Sequence, residues 1–567
     1  MDRFLTYLIE RRNEQKYVGY IMDNIFNELN RENIERLHER YNRLNRFVIA
    51  DFVRRSAYRY PDKPAIIFRD KRYTYRELED ATNKFANALL DLGLGRFERV
   101  AVLAHNTHHQ AISWFGILKA GGVMVPINYL LRGRDISYCI NHSESTVFVV
   151  EDDLFNLVSD VLEEMPTVKR FLWSKIGGKT AKPEGWHDFD ELVRRYPADR
   201  PDINLDIHDV AQFSYTSGTE ALPKAVMLTN QSLIAEYTSA IITGGLDPED
   251  IVINALPLYH CAQQHVFFTP MIWLGGTNIL LYDANVKGIF ENIQKYKATQ
   301  LFCPPTVWIG ILRDPDFDKY DLGSLKKGAY GAAKMPPEVL LELAKRIEGI
   351  RLWNHYGQTE LSPSHTILQP EDQMRKPGSA GQGELNTETA LLDDDDNIIT
   401  KPGGVEEIGC RGPHIMLGYF KDQEKTENAF RGGWFHTGDL GVLDEDRYVE
   451  VVDRKKDTVK TGGENVSSLG VEEAIYKNKN VEEVAVIGLP HEKWIEAVTA
   501  IVVPREEAKG KLTEEEIIET CKKELAPFKV PKRVIIVDSV PKTPTGKLLK
   551  RTMREIYKDF YRGRATF

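Results

Sequence analysis

Residues 72–93 read RYTYRELEDATNKFANALLDLG, and RVAVLA follows at 99–104. The first stretch predicts a helix, because Thr74 can act as N-cap, Glu77 three positions on completes a capping box, and Gly93 supplies the stop. The second predicts a short buried strand. The same alternation continues along the chain, with short β-branched or apolar runs at STVFVVE (145–151), DIVINALP (250–257), TNILLYD (277–283) and TQLFCPP (299–305). Strands separated by helical stretches predict parallel sheets covered by helices, an α/β fold.

The 567 residues suffice for a large α/β body with a smaller appended unit. Lys and Arg number 74 against 84 Asp and Glu, a net charge of −10, with 28% charged and 42% hydrophobic residues. That balance fits a soluble globular protein and argues against a general nucleic-acid partner. The five cysteines (139, 261, 303, 410 and 521) are scattered without a CxxC pair, so neither a disulfide scaffold nor a structural zinc site is expected. The N-terminus lacks an uninterrupted apolar stretch and no segment is long and apolar enough to span a bilayer, so no transmembrane segment and a cytoplasmic location are expected.

Residues 1–46 predict a helical extension in which Ile34, Leu37, Tyr41 and Leu44 form one apolar stripe. Its acidic residues are mixed among the arginines, which disfavours a membrane surface; docking onto the body, or onto a second subunit in a homodimer, is expected instead. Asp393 to Asp396 with Asn397 predict a turn between two strands rather than a cation site. His105, His108 and His109 crowd together, but no neighbouring acid or cysteine completes a ligand set.

The segment Tyr215-Thr-Ser-Gly-Thr-Glu-Ala-Leu-Pro-Lys-Ala-Val226 combines hydroxyls, a glycine and a lysine, a loop able to surround phosphate oxygens. It lacks the G-x-x-x-x-G-K-[ST] pattern, and by itself an ordinary solvated Ser/Thr loop explains it equally well. It does not stand alone. LPLYH (256–260), YGAAKMP (330–336), NHYGQTE (354–360), KPGSAG (376–381), GWFHTGDLG (433–441), DRKKDTVKTGGENVS (453–467) and PKTPTGKLLKR (541–551) follow in order. Together these segments resemble the acyl-adenylate-forming superfamily, which includes acyl-CoA synthetases, luciferases and the adenylation domains of peptide synthetases.

The resemblance implies a large N-terminal body of stacked, mostly parallel sheets flanked by helices over residues 47–453, and a small mobile α+β C-terminal domain over 454–567. It implies ATP, Mg²⁺ and coenzyme A as the molecules bound beside a small carboxylic acid. By the same resemblance, Thr216, Ser217, Gly218, Thr219 and Lys224 would hold the phosphates. Tyr356 would stack on adenine, with Gly357 and Gln358 beside it, Thr359 would contact phosphate and Glu360 would bind Mg²⁺. Asp439 would accept the ribose hydroxyls and Arg454 would assist; Lys547 would bridge the substrate carboxylate and the α-phosphate during adenylation. Lys456 would occupy the hinge about which the small domain rotates, presenting Gly462, Gly463, Glu464 and Asn465 to the pantetheine tunnel.

Departures from the family pattern concern the phosphate loop, where Glu220 and Ala221 stand in place of the usual residues and Ala225 replaces Gly. Asn230 stands where His is common, and Glu406-Glu407-Ile408 where Gly-Glu-Ile is common. Cys261-Ala262-Gln263-Gln264 follows LPLYH without the Asp that pairs with an amino-acid ammonium, and no carrier-protein attachment segment is present, so free coenzyme A is the expected acceptor. The small or apolar wall residues His260, Gly331, Ala332, Ala333, Gly357 and Pro363 suit an uncharged acyl chain, so a medium- or long-chain fatty acid is the expected substrate. The alternatives are an aromatic or alicyclic carboxylate, a luciferase-type oxygenase, and a non-catalytic nucleotide-binding scaffold that kept the fold.

Overall fold

Thr74 caps the helix Tyr75–Asp91 as the sequence predicts: its side chain accepts from the Glu77 amide, the Glu77 carboxylate accepts from Thr74 N at 2.8 Å, and Gly93 takes φ +85° just past the end. The computed structural model describes residues 42, 44–216, 223–400, 402–461, 464–491, 493–542 and 548–562. Within them the runs read as strands are strands: Arg99–Leu103, Ser145–Glu151, Ile251–Asn254, Thr277–Leu280 and Gln300–Phe302.

Two large sheets form the body. The first has nine strands in the order Gln382–Gly383, Ser364–Leu368, Arg351–Gly357, Lys327–Gly331, Gln300–Phe302, Ile251–Asn254, Thr277–Leu280, Pro64–Phe68 and Lys71–Thr74. Its centre, from Arg351–Gly357 to Pro64–Phe68, is parallel, and antiparallel strands close both edges. The second has eight strands, parallel from Val210–Thr216 to His187–Asp188, with Lys224–Thr229 and Gly418–Tyr419 added antiparallel. A five-stranded antiparallel sheet follows, in the order Ile398–Ile399, Glu388–Leu392, Glu406–Arg411, Phe435–Leu443 and Val449–Arg454.

The helix His108–Lys119 lies between the two large sheets, touching Pro64–Phe68 of one and Arg99–Leu103 and Val123–Pro126 of the other. All its residues are buried, as a helix covered on both sides requires. Its buried charge is matched: Lys119 Nζ donates to Glu79 (2.6 Å), Thr82 (2.7 Å) and Asn83 (2.7 Å). The reading that no acid reaches the histidine cluster is corrected here. Asp190 lies 3.1 Å from His109 Nε2 and Glu151 2.9 Å from His105 Nδ1, both brought from distant positions by the sheet. Lys71 Nζ sits 3.0 Å from His108 Nε2, a cation where a metal ion would have to approach.

The small C-terminal unit is built on a further sheet, with Glu464–Val466, Val459–Thr461, Ile495–Pro504 and Val481–His491 in antiparallel order and Arg533–Ile536 added parallel. Residues 1–41 and 43, with Ile34, Leu37 and Tyr41 of the expected stripe, lie outside the described residues. Leu44 of that stripe is 82% exposed, whereas Asn42 and Arg46 dock by polar bonds to the carbonyls of Leu205 and Ile203 at 2.8 Å each. Asp393 to Asn397 form a turn in which Asp393 Oδ1 accepts from the amides of Asp395 and Asn397. The five cysteines are free and buried.

Candidate active site

The strand Arg351–Gly357 delivers Tyr356 and Gly357 to the edge of its sheet, and the turn Thr359–Leu361 follows at once. Gly357 is dictated by close approach, because a Cβ there would lie 2.0 Å from the Pro363 carbonyl oxygen. The strand Phe435–Leu443 brings Asp439 opposite Arg454 of its antiparallel neighbour. Asp439 is 3% exposed and accepts from Tyr356 OH (2.9 Å) and Gln358 Nε2 (2.9 Å) on one oxygen, while Arg454 Nε lies 3.0 Å from the other. Burial, and then the Asp439 charge, push the Tyr356 hydroxyl well above its ordinary pKa, so it stays a donor.

The turn before Asp439 is held by Glu407, which matches the Glu of the usual Gly-Glu-Ile, the departure lying at Glu406. Glu407 Oε1 accepts from Gly438 N at 3.0 Å, and its other oxygen meets Lys455 at 3.2 Å and His436 at 3.3 Å. Asn230, which stands where His is common, accepts from Ile49 N (3.0 Å) and donates to the Asp209 carbonyl (3.1 Å), fixing the start of the body.

Thr216 and Lys224 face each other as an antiparallel pair at the open end of Val210–Thr216 and Lys224–Thr229. Ser217, Gly218 and Thr219, with Glu220 and Ala221, lie outside the described residues, as do Gly462, Gly463, Lys547 and the Asn465 side chain. Lys224 Nζ stands 5.1 Å over the ring of Tyr419, whose hydroxyl donates to Glu360 Oε1 at 3.0 Å. Thr359 Oγ1 lies 3.2 Å from Cys261 Sγ, a thiol that burial pushes up to about 12. The ammonium of Lys456 is pulled below its ordinary pKa by burial and then by Arg454, while Asp457 and Asp439 pull the other way. Lys456 therefore feels the charges of Asp439 and Lys224 across the junction.

Of the residues expected to line an acyl chain, His260 Nδ1 accepts from Ala262 N at 3.2 Å, Gly331 and Pro363 are buried, and Ala332 and Ala333 are exposed. Glu464 is exposed at the start of a strand of the small unit. The small unit is stapled to the body at the junction: Asp453 accepts from Ser468 N (2.5 Å), Ser467 Oγ donates to the Val452 carbonyl (2.9 Å), and Lys334 bridges Glu450 (3.1 Å) and Glu473 (3.2 Å).

Sequence reading missed Tyr419, Glu236 and Glu384. Tyr419 lies in no quoted segment, and its role depends on a contact made 59 positions away. Glu236 carried a signal that went unused, as the single charged residue of the apolar helix NQSLIAEYTSAIIT (230–243).

These features define a nucleotide-handling α/β enzyme with a small C-terminal unit. The AMP-binding enzyme model matches residues 53–420, and the AMP-binding enzyme C-terminal domain matches 470–547. A long-chain-fatty-acid–CoA ligase of Escherichia coli O157:H7 is 31% identical over 534 residues, covering 89% of this chain and 94% of that protein. A 4-hydroxybutyrate–CoA ligase 2 of Metallosphaera sedula is 32% identical over 521 residues, with 89% and 93% covered. The crystal structure of ATP-bound MatB from Rhodopseudomonas palustris superposes with a TM-score of 0.81 at 28% identity, covering 90% of this chain and 100% of that one. The chain belongs to the AMP-binding enzyme family, and it is an enzyme of the acid–thiol ligase type.

Proposed function

We propose that this ligase activates an aliphatic carboxylic acid of medium or long chain as its acyl-AMP and then passes the acyl group to coenzyme A. In the first step a carboxylate oxygen bonds to the α-phosphorus of ATP and pyrophosphate leaves. In the second the thiol of coenzyme A gives up its proton, sulfur bonds to the acyl carbon, and AMP leaves. The observation that supports this reading best is the engagement of Asp439 by Tyr356, Gln358 and Arg454 beside Glu360 and Lys224. A carboxylate fixed in this way is oriented to accept two ribose hydroxyls.

The other roles are those that the family pattern implies. Tyr356 would offer a ring face to adenine, Thr216, Ser217, Gly218, Thr219 and Lys224 would hold the phosphates, and Thr359 would add a hydroxyl. Glu360, a hard oxygen donor aligned by Tyr419, suits Mg²⁺, which would neutralise phosphate charge when bound. Lys547 would stabilise charge in adenylation, and Lys456 is the pivot that moves the small unit (454–567) relative to the body (47–453). Gly462 to Asn465 would then line the thiol's approach. Catalysis here consists of positioning and charge stabilisation, with no covalent enzyme intermediate. The test is acid-dependent release of pyrophosphate from ATP across a panel of carboxylic acids. Release without added acid, or none with any acid, would overturn the proposal.

A further inference from the structure

Glu236 stands alone as a charge in the helix Asn230–Thr243 and is 1% exposed, and neither of its carboxyl oxygens has a hydrogen-bond partner among the described residues. Glu384 is 3% exposed; one oxygen accepts from Ser364 Oγ and the other meets the hydrogen-bond criteria with no group among the described residues. The two carboxyls are close enough to feel each other's charge. The segment carrying Glu384 docks on the same helix, where Asn386 Nδ2 donates to the Ala235 carbonyl at 3.0 Å and Asn386 N to Ser239 Oγ at 3.3 Å.

This pair adjoins the proposed acyl wall. Ser364 follows Pro363 in the chain, and its Oγ lies 3.4 Å from His355 Nδ1. A Cβ on the wall residue Gly331 would sit 2.5 Å from the His355 carbonyl oxygen. On the other side, the π-helical turn Ala262–Phe268, which continues from the LPLYH segment, packs on the helix Asn230–Thr243 and carries Gln264 and His265. Gln264 Oε1, His265 Nε2 and His355 Nε2 are buried and unmatched, like the two glutamates. Buried polar atoms in folded proteins nearly always have partners, so Glu236 and the linked Glu384, Ser364 and His355, with Gln264 and His265 on the turn packed against the same helix, call for further polar partners.

We propose that Glu236 and Glu384 form a hydrogen-bonding wall of the acyl pocket that selects a carboxylic acid bearing a hydroxyl on its chain, an inference that rests on the ligase reading above. A neutral hydroxyl fits better than an ammonium. Burial holds the Glu236 carboxyl well above the carboxylate range and Glu384 at about 7, and it holds His265 near 3 and His355 near 4. Burial therefore favours the neutral form of each of these groups, Glu384 being about half protonated near neutrality, so the lining offers both donors and acceptors, which is what a hydroxyl requires.

The experiment uses the full-length enzyme and compares straight-chain acids with acids of equal length carrying one hydroxyl at successive carbons, or a terminal amine, by initial rates of pyrophosphate release. One hydroxy isomer should exceed its unsubstituted parent in kcat/KM by roughly 10²-fold or more, since a site built around a substrate hydroxyl discriminates strongly against its loss. Glu236→Leu should abolish that ratio while the KM for ATP stays the same, and Glu236→Gln, which keeps volume and hydrogen bonding, should retain part of it in a protein of unchanged circular dichroism. Equal rates for every hydroxy acid and its parent, a preference for the amino acids, or an unchanged ratio in Glu236→Leu would each overturn the proposal. Turnover of unsubstituted acids in those cases leaves the ligase reading standing; no turnover of any acid brings both down.

Discussion

Asp439 concentrates the nucleotide half of the account in one side chain, because Tyr356, Gln358 and Arg454 leave its carboxylate little freedom to turn. Replacing it with Ala should raise the KM for ATP by about 10–100-fold, the scale of lost hydrogen bonds to a charged group, and isothermal titration with a non-hydrolysable ATP analogue would check this. Tyr419 acts one step further out, through Glu360. Tyr419→Phe should increase the Mg²⁺ concentration needed for half-maximal pyrophosphate release by roughly tenfold, without a change in melting temperature. Asp439, Tyr356 and Glu360 were legible in the sequence because each sits in a contiguous segment. Tyr419, Glu236 and Glu384 were not, since their meaning comes from neighbours that only the folded chain supplies.

Elements position these residues through two features that respond to simple perturbation. The strand Arg351–Gly357 ends where a methyl group on Gly357 would strike the Pro363 backbone, so Gly357→Ala should destabilise the body by about 1–3 kcal/mol and slow adenylation as Gln358 and Thr359 shift. Urea unfolding midpoints and acid-dependent pyrophosphate exchange would register the two effects. The segment carrying Glu384 makes a pH prediction. Its folded pKa of about 7 exceeds the ordinary carboxyl value of 4.5, so the folded state binds the extra proton and its stabilisation is complete below pH 4.5. It is lost as pH rises to about 7, a decline of at most about 3 kcal/mol that Glu384→Gln should flatten in urea titrations at successive pH values. Element existence read well from the sequence, as the Thr74 capping box and the strand runs attest. The orphaned carboxyl of Glu236 did not, because helical periodicity says which face is buried and nothing of what the face meets.

The whole molecule joins a body of two large sheets to a small unit through a polar junction that includes Asp453 to Ser468 and Lys334 to Glu473. Lys456, between these contacts, is coupled to Asp439 and Lys224. The family resemblance made the two-part organisation legible, whereas the junction contacts needed coordinates. If the small unit alternates, Lys456→Pro, which fixes φ near −65°, should impair thioester formation more than adenylation. The complementary variant tests the central claim most directly. In Lys547→Ala, acyl-AMP formation should fall by on the order of 10²–10³, the scale of one preorganised charge-stabilising donor, while thioester formation from supplied acyl-AMP and coenzyme A continues at the wild-type rate. Equal slowing of both half-reactions, or unimpaired adenylation, would contradict the account.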